Sequence, residues 1–178
     1  MHPAYRGSFL RVDVETWPGL DAPREVVRHP GAVGVLPVTA ENEVLLIRQF
    51  RPAIRDSLTE IPAGVLDVEG EDPLACAARE LFEETGYRHE RIEFLGGVYP
   101  SAGFSDEYIH LFVARTARLP EAGPEPGITL VRRPLHAMVA AAGAGRVRDA
   151  KTALALLLVG GHPPQEPARR ATWGPTDA

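Results

Sequence analysis

Three glutamates in one short stretch, Glu80, Glu83 and Glu84, are spaced i, i+3 and i+4. On a helix that spacing puts them on one stripe, where like charges cost roughly a few tenths of a kcal/mol per pair. Arg79 relieves part of the repulsion by pairing with Glu83 one turn on. A hard divalent cation would relieve the rest, because Mg²⁺ takes oxygen ligands, usually one or two carboxylates together with substrate phosphates. Taken alone, E-x-x-E-E is more simply a solvated acidic face, so the surrounding residues have to decide.

Those surroundings define the helix. Asp72 is a natural N-cap, Pro73 suits the first helical position, and Glu71 adds negative charge at the positive end of the helix dipole. Gly86 supplies the stop. Leu74, Ala78 and Leu81 fall at helical spacing and are expected to pack inward. A glycine-containing turn from Gly64 to Gly70 leads into it.

With that turn included, Gly64–Tyr87 resembles the Nudix box, G-x5-E-x7-R-E-U-x-E-E-x-G-U with U a bulky apolar residue. From Glu71 through Arg79, Glu80, Leu81, Glu83, Glu84, Gly86 and Tyr87 the spacing matches throughout. One departure is a loop one residue longer, with six residues between Gly64 and Glu71. Other stretches resemble the Nudix subfamily of ADP-ribose pyrophosphatases: Arg48-Gln49-Phe50-Arg51-Pro52, Glu60-Ile61-Pro62-Ala63-Gly64, and Ser101–Glu107, where Ala102 replaces the usual proline.

The resemblance implies attack of water on a diphosphate link, with ADP-ribose giving AMP and ribose 5-phosphate, assisted by Mg²⁺ or, as a substitute, Mn²⁺. It implies metal ligation by Glu80, Glu84 and the Ala63 carbonyl. Glu83 follows as ligand or base, and Glu60, beside the cluster, is a further metal-ligand candidate. Arg79 would hold the glutamates in place. Arg48 and Arg51 offer forked donors to phosphate or ribose oxygens, and the Ser101, Gly103 and Glu107 loop would lie against the substrate. The general base is expected on the loop 119–127, which holds only Glu121 and Glu125; Glu125 is nearer the expected place. Other readings are a Nudix hydrolase of a dinucleoside polyphosphate, flavin or pyridine dinucleotide, or a non-catalytic Nudix-fold sensor. Retention of every box glutamate disfavours the sensor.

The remainder of the chain must position these groups. Its 178 residues suffice for one domain with a proper core, and 44% hydrophobic with 24% charged residues is ordinary for a globular protein. A net charge of −5 argues against a nucleic-acid surface but not against a phosphorylated small molecule, which a metal can bridge. One cysteine, Cys76, permits no internal disulfide and fits a reducing cytoplasm. The apolar run Ala153–Val159 is too short to span a membrane. The six histidines show no metal-ligand spacing. Tyr5, Phe9 and Trp17 could stack on an adenine, though each is more simply a core or interface residue.

Alternation predicts strands over Phe9–Val14 and Arg24–Val27, and apolar runs predict buried strands over Ala32–Val38 and Val44–Arg48. Shorter strands are expected over Thr59–Ile61, Ile92–Val98, Tyr108–Val113 and Ile128–Arg132, and helices over Leu135–Ala141 and Asp149–Val159. The fold class implied is the Nudix α/β/α sandwich with a mixed β-sheet. An N-terminal β extension over residues 1–30, which in the subfamily pairs two subunits into a homodimer, precedes a hydrolase domain over 31–160. A Pro/Gly/Arg-rich tail covers 161–178.

Overall fold

The structure, a computed structural model, describes residues 2–117 and 119–161. From His162 on, the expected tail lies outside the described residues. The first strands are β1 (His2–Arg6), β2 (Arg11–Glu15), β3 (Arg24–Arg28), β4 (Ala32–Val38), β5 (Glu43–Arg51), β6 (Asp56–Glu60) and β7 (Ala63–Val65). Then follow α1 (Pro73–Thr85), β8 (His89–Val98), β9 (Ile109–Thr116), β10 (Thr129–Pro134), α2 (Leu135–Gly143) and α3 (Ala150–Gly161).

The strands make two sheets. β1, β2 and β3 form an antiparallel sheet of three, and the others form a sheet of seven with the path β10-β5-β4-β9-β8. Off that path, β6 pairs with β5 and β7 pairs with β4. β4 runs parallel to β9 and antiparallel to β5 and β7, so the sheet is mixed. β4 is buried along its whole length, which explains its unbroken apolar sequence: a strand covered on both faces has no solvent side to mark. Val33 and Val35 meet Cys76, Ala77 and Leu81 of α1, whereas Leu36 and Val38 meet Ala142 of α2 with Ala155 and Leu156 of α3. Helices therefore cover both faces, giving the expected α/β/α sandwich. Among the described residues no helix is long and apolar enough to cross a membrane.

α1 starts and stops where its residue types dictate. The Asp72 side chain accepts from the Leu74 N–H at 2.8 Å, and Pro73 opens the helix. Gly86 closes it in the left-handed region at φ 76°, donating its N–H to the Phe82 carbonyl. The inward face differs from expectation. Leu74 stays 43% exposed, while Cys76, Ala77, Leu81, Glu84 and Thr85 are buried. Small Cys76 and Ala77 side chains let the helix lie close on β4, a selection by size that ranking by hydrophobicity misses. Strands β1 and β7 are additions to the expected set, and β5, β8 and β9 run longer than expected.

Gly86 is also a point of close approach. A Cβ there would sit 1.9 Å from the Ala122 carbonyl oxygen, whereas at Gly70, at nearly the same φ, nothing lies within 4 Å. Gly70→Ala should therefore cost only the left-handed strain, about 1–2 kcal/mol, or a melting temperature lower by roughly 2–8 °C. Gly86→Ala should cost clearly more, because loop 119–127 must also move. Thermal unfolding of the two variants side by side checks this, and equal losses would contradict it.

Candidate active site

The short strand β7 and the helix α1 bring the box carboxylates against backbone. Gly64 has no side chain, and its place is taken by Glu80: a Cβ at Gly64 would lie 2.0 Å from the Glu80 carboxyl carbon and Oε1. The Glu84 carboxylate is buried and accepts from the Ala63 N–H at 2.9 Å. Burial raises the Glu80 carboxyl above its ordinary range, with the Arg79 charge opposing. Glu84 is pushed further, to about 7: burial drives it up, the Ala63 amide opposes, and the neighbouring Glu80 charge adds to the rise.

Arg79 holds the acidic stripe together. Its Nε and Nη2 each lie 3.0 Å from a different oxygen of Glu71, and its Nη1 donates to Glu80 at 2.6 Å and to Glu83 at 2.9 Å. The i,i+4 pair with Glu83 was legible from spacing. The bidentate grip on Glu71, eight positions back, was not. It gives the first glutamate of the box a physical role, that of fixing the arginine that spreads the others. Arg79 in return holds Glu71 below the usual carboxylate range.

A second charged group adjoins the first. Glu60, 1% exposed, accepts from Arg51 Nε at 2.7 Å and Arg51 Nη2 at 2.9 Å, and from Lys151 of α3. Burial alone would raise its carboxyl, yet the Arg51 hydrogen bonds and the Lys151 charge outweigh burial and keep it below its ordinary value. Lys151 also donates to Asp149 at 2.9 Å. Thr152, fully buried, accepts from the Ile61 N–H at 2.8 Å and is held by Asp149. Thus the start of α3 clamps the Glu60–Ile61 backbone. Sequence reading missed Lys151, Thr152 and Asp149; 91 positions separate Lys151 from Glu60, and no local pattern announces the pair.

The other expected residues fall in three places. Arg48 and Arg51 lie three apart on β5 in unbroken register with β6, so they point to opposite sheet faces. Arg51 joins Glu60, and Arg48 is exposed, away from that cluster. Glu125 is exposed on loop 119–127, but its N–H donates to the Glu83 carbonyl at 3.2 Å and its charge is felt at Glu80. That loop is pinned to the end of α1 by Glu121 N–H to the Gly86 carbonyl at 2.8 Å and by an Arg88–Glu121 pair at 2.7 Å. Ser101, Gly103 and Glu107 share a tight loop in which the Ser101 carbonyl accepts from Phe104 and Ser105 N–H groups at 3.0 and 2.9 Å.

Among the described residues no three His, Cys, Asp or Glu side chains converge on one metal position, since Glu80 and Glu83 turn to Arg79 and Glu84 to the Ala63 amide. The donor set nevertheless suits a hard divalent cation. The carboxylates of Glu80 and Glu84 both lie against the Ala63–Gly64 backbone, and burial together with nearby like charges already raises both carboxyls.

The raised Glu84 carboxyl has a measurable consequence. Between its unfolded value, near 4.5, and about 7, the cation-free folded chain binds a proton the unfolded chain has released. The stabilisation is complete below that interval and is lost as pH rises through about 7. Glu84→Gln keeps the amide contact without the titration, so cation-free parent protein should lose more melting temperature than this variant between about pH 5 and pH 8. Parallel losses would contradict the assignment.

Comparisons with known proteins agree with this geometry. The NUDIX domain family matches residues 28–156. A protein of Bacillus subtilis (strain 168) called ADP-ribose pyrophosphatase is 38% identical over 148 residues, 81% of this chain and 80% of that one. A Bacillus methanolicus protein called methanol dehydrogenase activator is 50% identical over 103 residues, 58% of this chain but only about half, 55%, of its own length. A solved structure described as an ADP compounds hydrolase superposes with a TM-score of 0.72 at 24% identity, covering 90% of this chain and 89% of that one, which supports the fold. With the family match spanning most of its length and the box glutamates all present around a carboxylate pair held out of water, the chain belongs to the Nudix family.

Proposed function

We propose that the chain is a Nudix pyrophosphohydrolase that cleaves, with Mg²⁺, the diphosphate link of ADP-ribose to give AMP and ribose 5-phosphate, or that of a related nucleoside diphosphate sugar to give its nucleoside monophosphate and sugar phosphate. The observation that carries this reading is the pair of box carboxylates, Glu80 and Glu84, held out of water against the Ala63–Gly64 backbone. Glu80, Glu84 and the Ala63 carbonyl would hold the cation, with Glu83 the next ligand. Bound there, it would make the attacking water more acidic and offset charge on the bridging oxygen.

The chain's own residues do the remaining work. Arg79 keeps Glu80 and Glu83 apart and oriented. Arg51, its Nε and Nη2 tied to Glu60, presents its remaining face to a substrate phosphate beside Glu84. With three donors on its two oxygens, Glu60 acts as the anchor of Arg51 more than as a metal ligand. Glu125, tethered through its backbone to Glu83, would take the proton from water in this reading. The loop of Ser101, Gly103 and Glu107 lies against the sugar side. Mn²⁺ would substitute for Mg²⁺, since both accept oxygen ligands.

Relatives support the substrate class. A Mycobacterium tuberculosis protein, 39% identical over 105 residues, is also called ADP-ribose pyrophosphatase, and a Cronobacter sakazakii protein, 36% identical over 151 residues, is called GDP-mannose pyrophosphatase. Residues 1–30 form a dimerisation extension in this reading, because Tyr5, Phe9, Trp17 and Leu20 leave large apolar side chains exposed there. The hydrolase domain spans 31–160. The compartment is the cytoplasm, where Cys76, buried and with its thiol pushed up to about 12, stays reduced.

The test is a panel of ADP-ribose, GDP-mannose, dinucleoside polyphosphates, flavin and pyridine dinucleotides and nucleoside triphosphates with Mg²⁺ and Mn²⁺, reading released nucleotide. ADP-ribose should turn over with the highest kcat/KM; faster cleavage of a triphosphate or dinucleoside polyphosphate would overturn the substrate assignment. Glu84→Gln should lower kcat at least ~10²-fold with the melting temperature retained, and near-normal turnover would remove Glu84 from the site.

A further inference from the structure

The three-stranded N-terminal sheet is fastened to the Ser101–Glu107 loop of the same chain. Val27 N–H donates to the Phe104 carbonyl at 2.7 Å, and the Asp106 N–H donates back to the Val27 carbonyl at 3.1 Å, forming a bridge between β3 and the loop. The Asp106 carboxylate then accepts from the next two residues of the chain. Its Oδ1 takes the His29 N–H at 2.8 Å, and its Oδ2 takes Arg28 Nη1 at 2.9 Å.

Arg28 is not a loose surface cation. It also pairs with Asp13 at 3.3 Å and with Glu15, two acidic residues of β2 that are 1% and 5% exposed. One guanidinium therefore bridges the inner charges of the N-terminal sheet to the loop. His29 adds a second brace: its Nδ1 accepts from the Gly31 N–H at 3.0 Å, its ring meets Phe9 edge-on at 5.7 Å, and its Nε2 lies 3.8 Å from Glu107. The loop tip has its own turn hydrogen bonds to the Ser101 carbonyl but little side-chain packing. Gly103 has nothing within 4 Å of where a side chain would begin, and Phe104 is 58% exposed.

We propose that Asp106, gripped by Arg28 and the His29 amide, is a positioning residue that sets the Ser101–Glu107 loop for substrate. The proposal rests on the reading of that loop as a substrate contact. A free loop would have to be ordered on binding, at a cost that weakens affinity; a latched loop is ordered beforehand. The sheet therefore acts on KM, and the carboxylates of α1 act on kcat.

The test compares Asp106→Asn, which keeps the His29 amide contact and loses the Arg28 pair, with Asp106→Ala, which loses both. Arg24→Gln is the control, because it changes an exposed charge on the same strand as Arg28 that donates only to the Ala22 and Pro23 carbonyls. The Asp106 variants should raise KM for ADP-ribose at least ~5-fold, Ala more than Asn, with kcat within about twofold of the parent. Amide exchange should rise at Phe104 and Ser105 in the same variants. Arg24→Gln should leave both KM and exchange at the loop in place. Unchanged KM in Asp106→Ala, or an equal rise in Arg24→Gln, would overturn the proposal. Exchange is read without turnover: if the parent cleaved no nucleotide sugar, the functional reading would fall, while unchanged exchange in Asp106→Ala would sink the latch itself.

Discussion

Everything in this molecule is arranged around carboxylates kept out of water beside a glycine. Glu60, Glu80 and Glu84 are buried or nearly so, and each would be costly there if left unpaired. Three cations answer them: Arg51 and Lys151 on Glu60, and Arg79 on Glu80, while Glu84 has only an amide donor and is the one whose carboxyl rises to about 7. The least compensated group is thus the one best placed to gain from a divalent cation. Gly64 is the geometric condition, since any side chain there would displace Glu80.

Much of this was legible in the sequence because it is local. The N-cap Asp72, the stop at Gly86 and the Arg79–Glu83 pair follow from spacing along one helix, and the structure has all three. The buried strand Ala32–Val38 has the expected bounds because a run with no polar residue has one simple reading. What escaped is contact between distant segments. Lys151 and Thr152 of α3 meet Glu60 and Ile61 across a sequence gap with no pattern to mark it. Arg48 and Arg51 were paired by proximity in sequence, but strand geometry separates residues three apart onto opposite faces. Helical spacing with Ala78 and Leu81 puts Leu74 inward, whereas close helix-to-sheet packing uses Cys76 and Ala77.

The N-terminal sheet is held by charge where the central sheet is held by apolar packing. Its buried side chains include Asp13 and Glu15, and several of its large apolar residues face solvent. Salt bridges of this kind fix geometry more than they add stability. Such an attachment suits a segment that sets the place of a loop, and it leaves large apolar side chains at the surface.

Cation binding by Glu80 and Glu84 at the Ala63–Gly64 backbone is the condition on which the proposed hydrolysis depends. The most direct measurement is a Mn²⁺ titration followed by electron paramagnetic resonance, with no nucleotide present, on the parent and on the double variant Glu80→Gln, Glu84→Gln. Loss of saturable Mn²⁺ binding in the double variant, with the fold retained by circular dichroism, is the predicted result. Equal binding in both proteins would contradict the account.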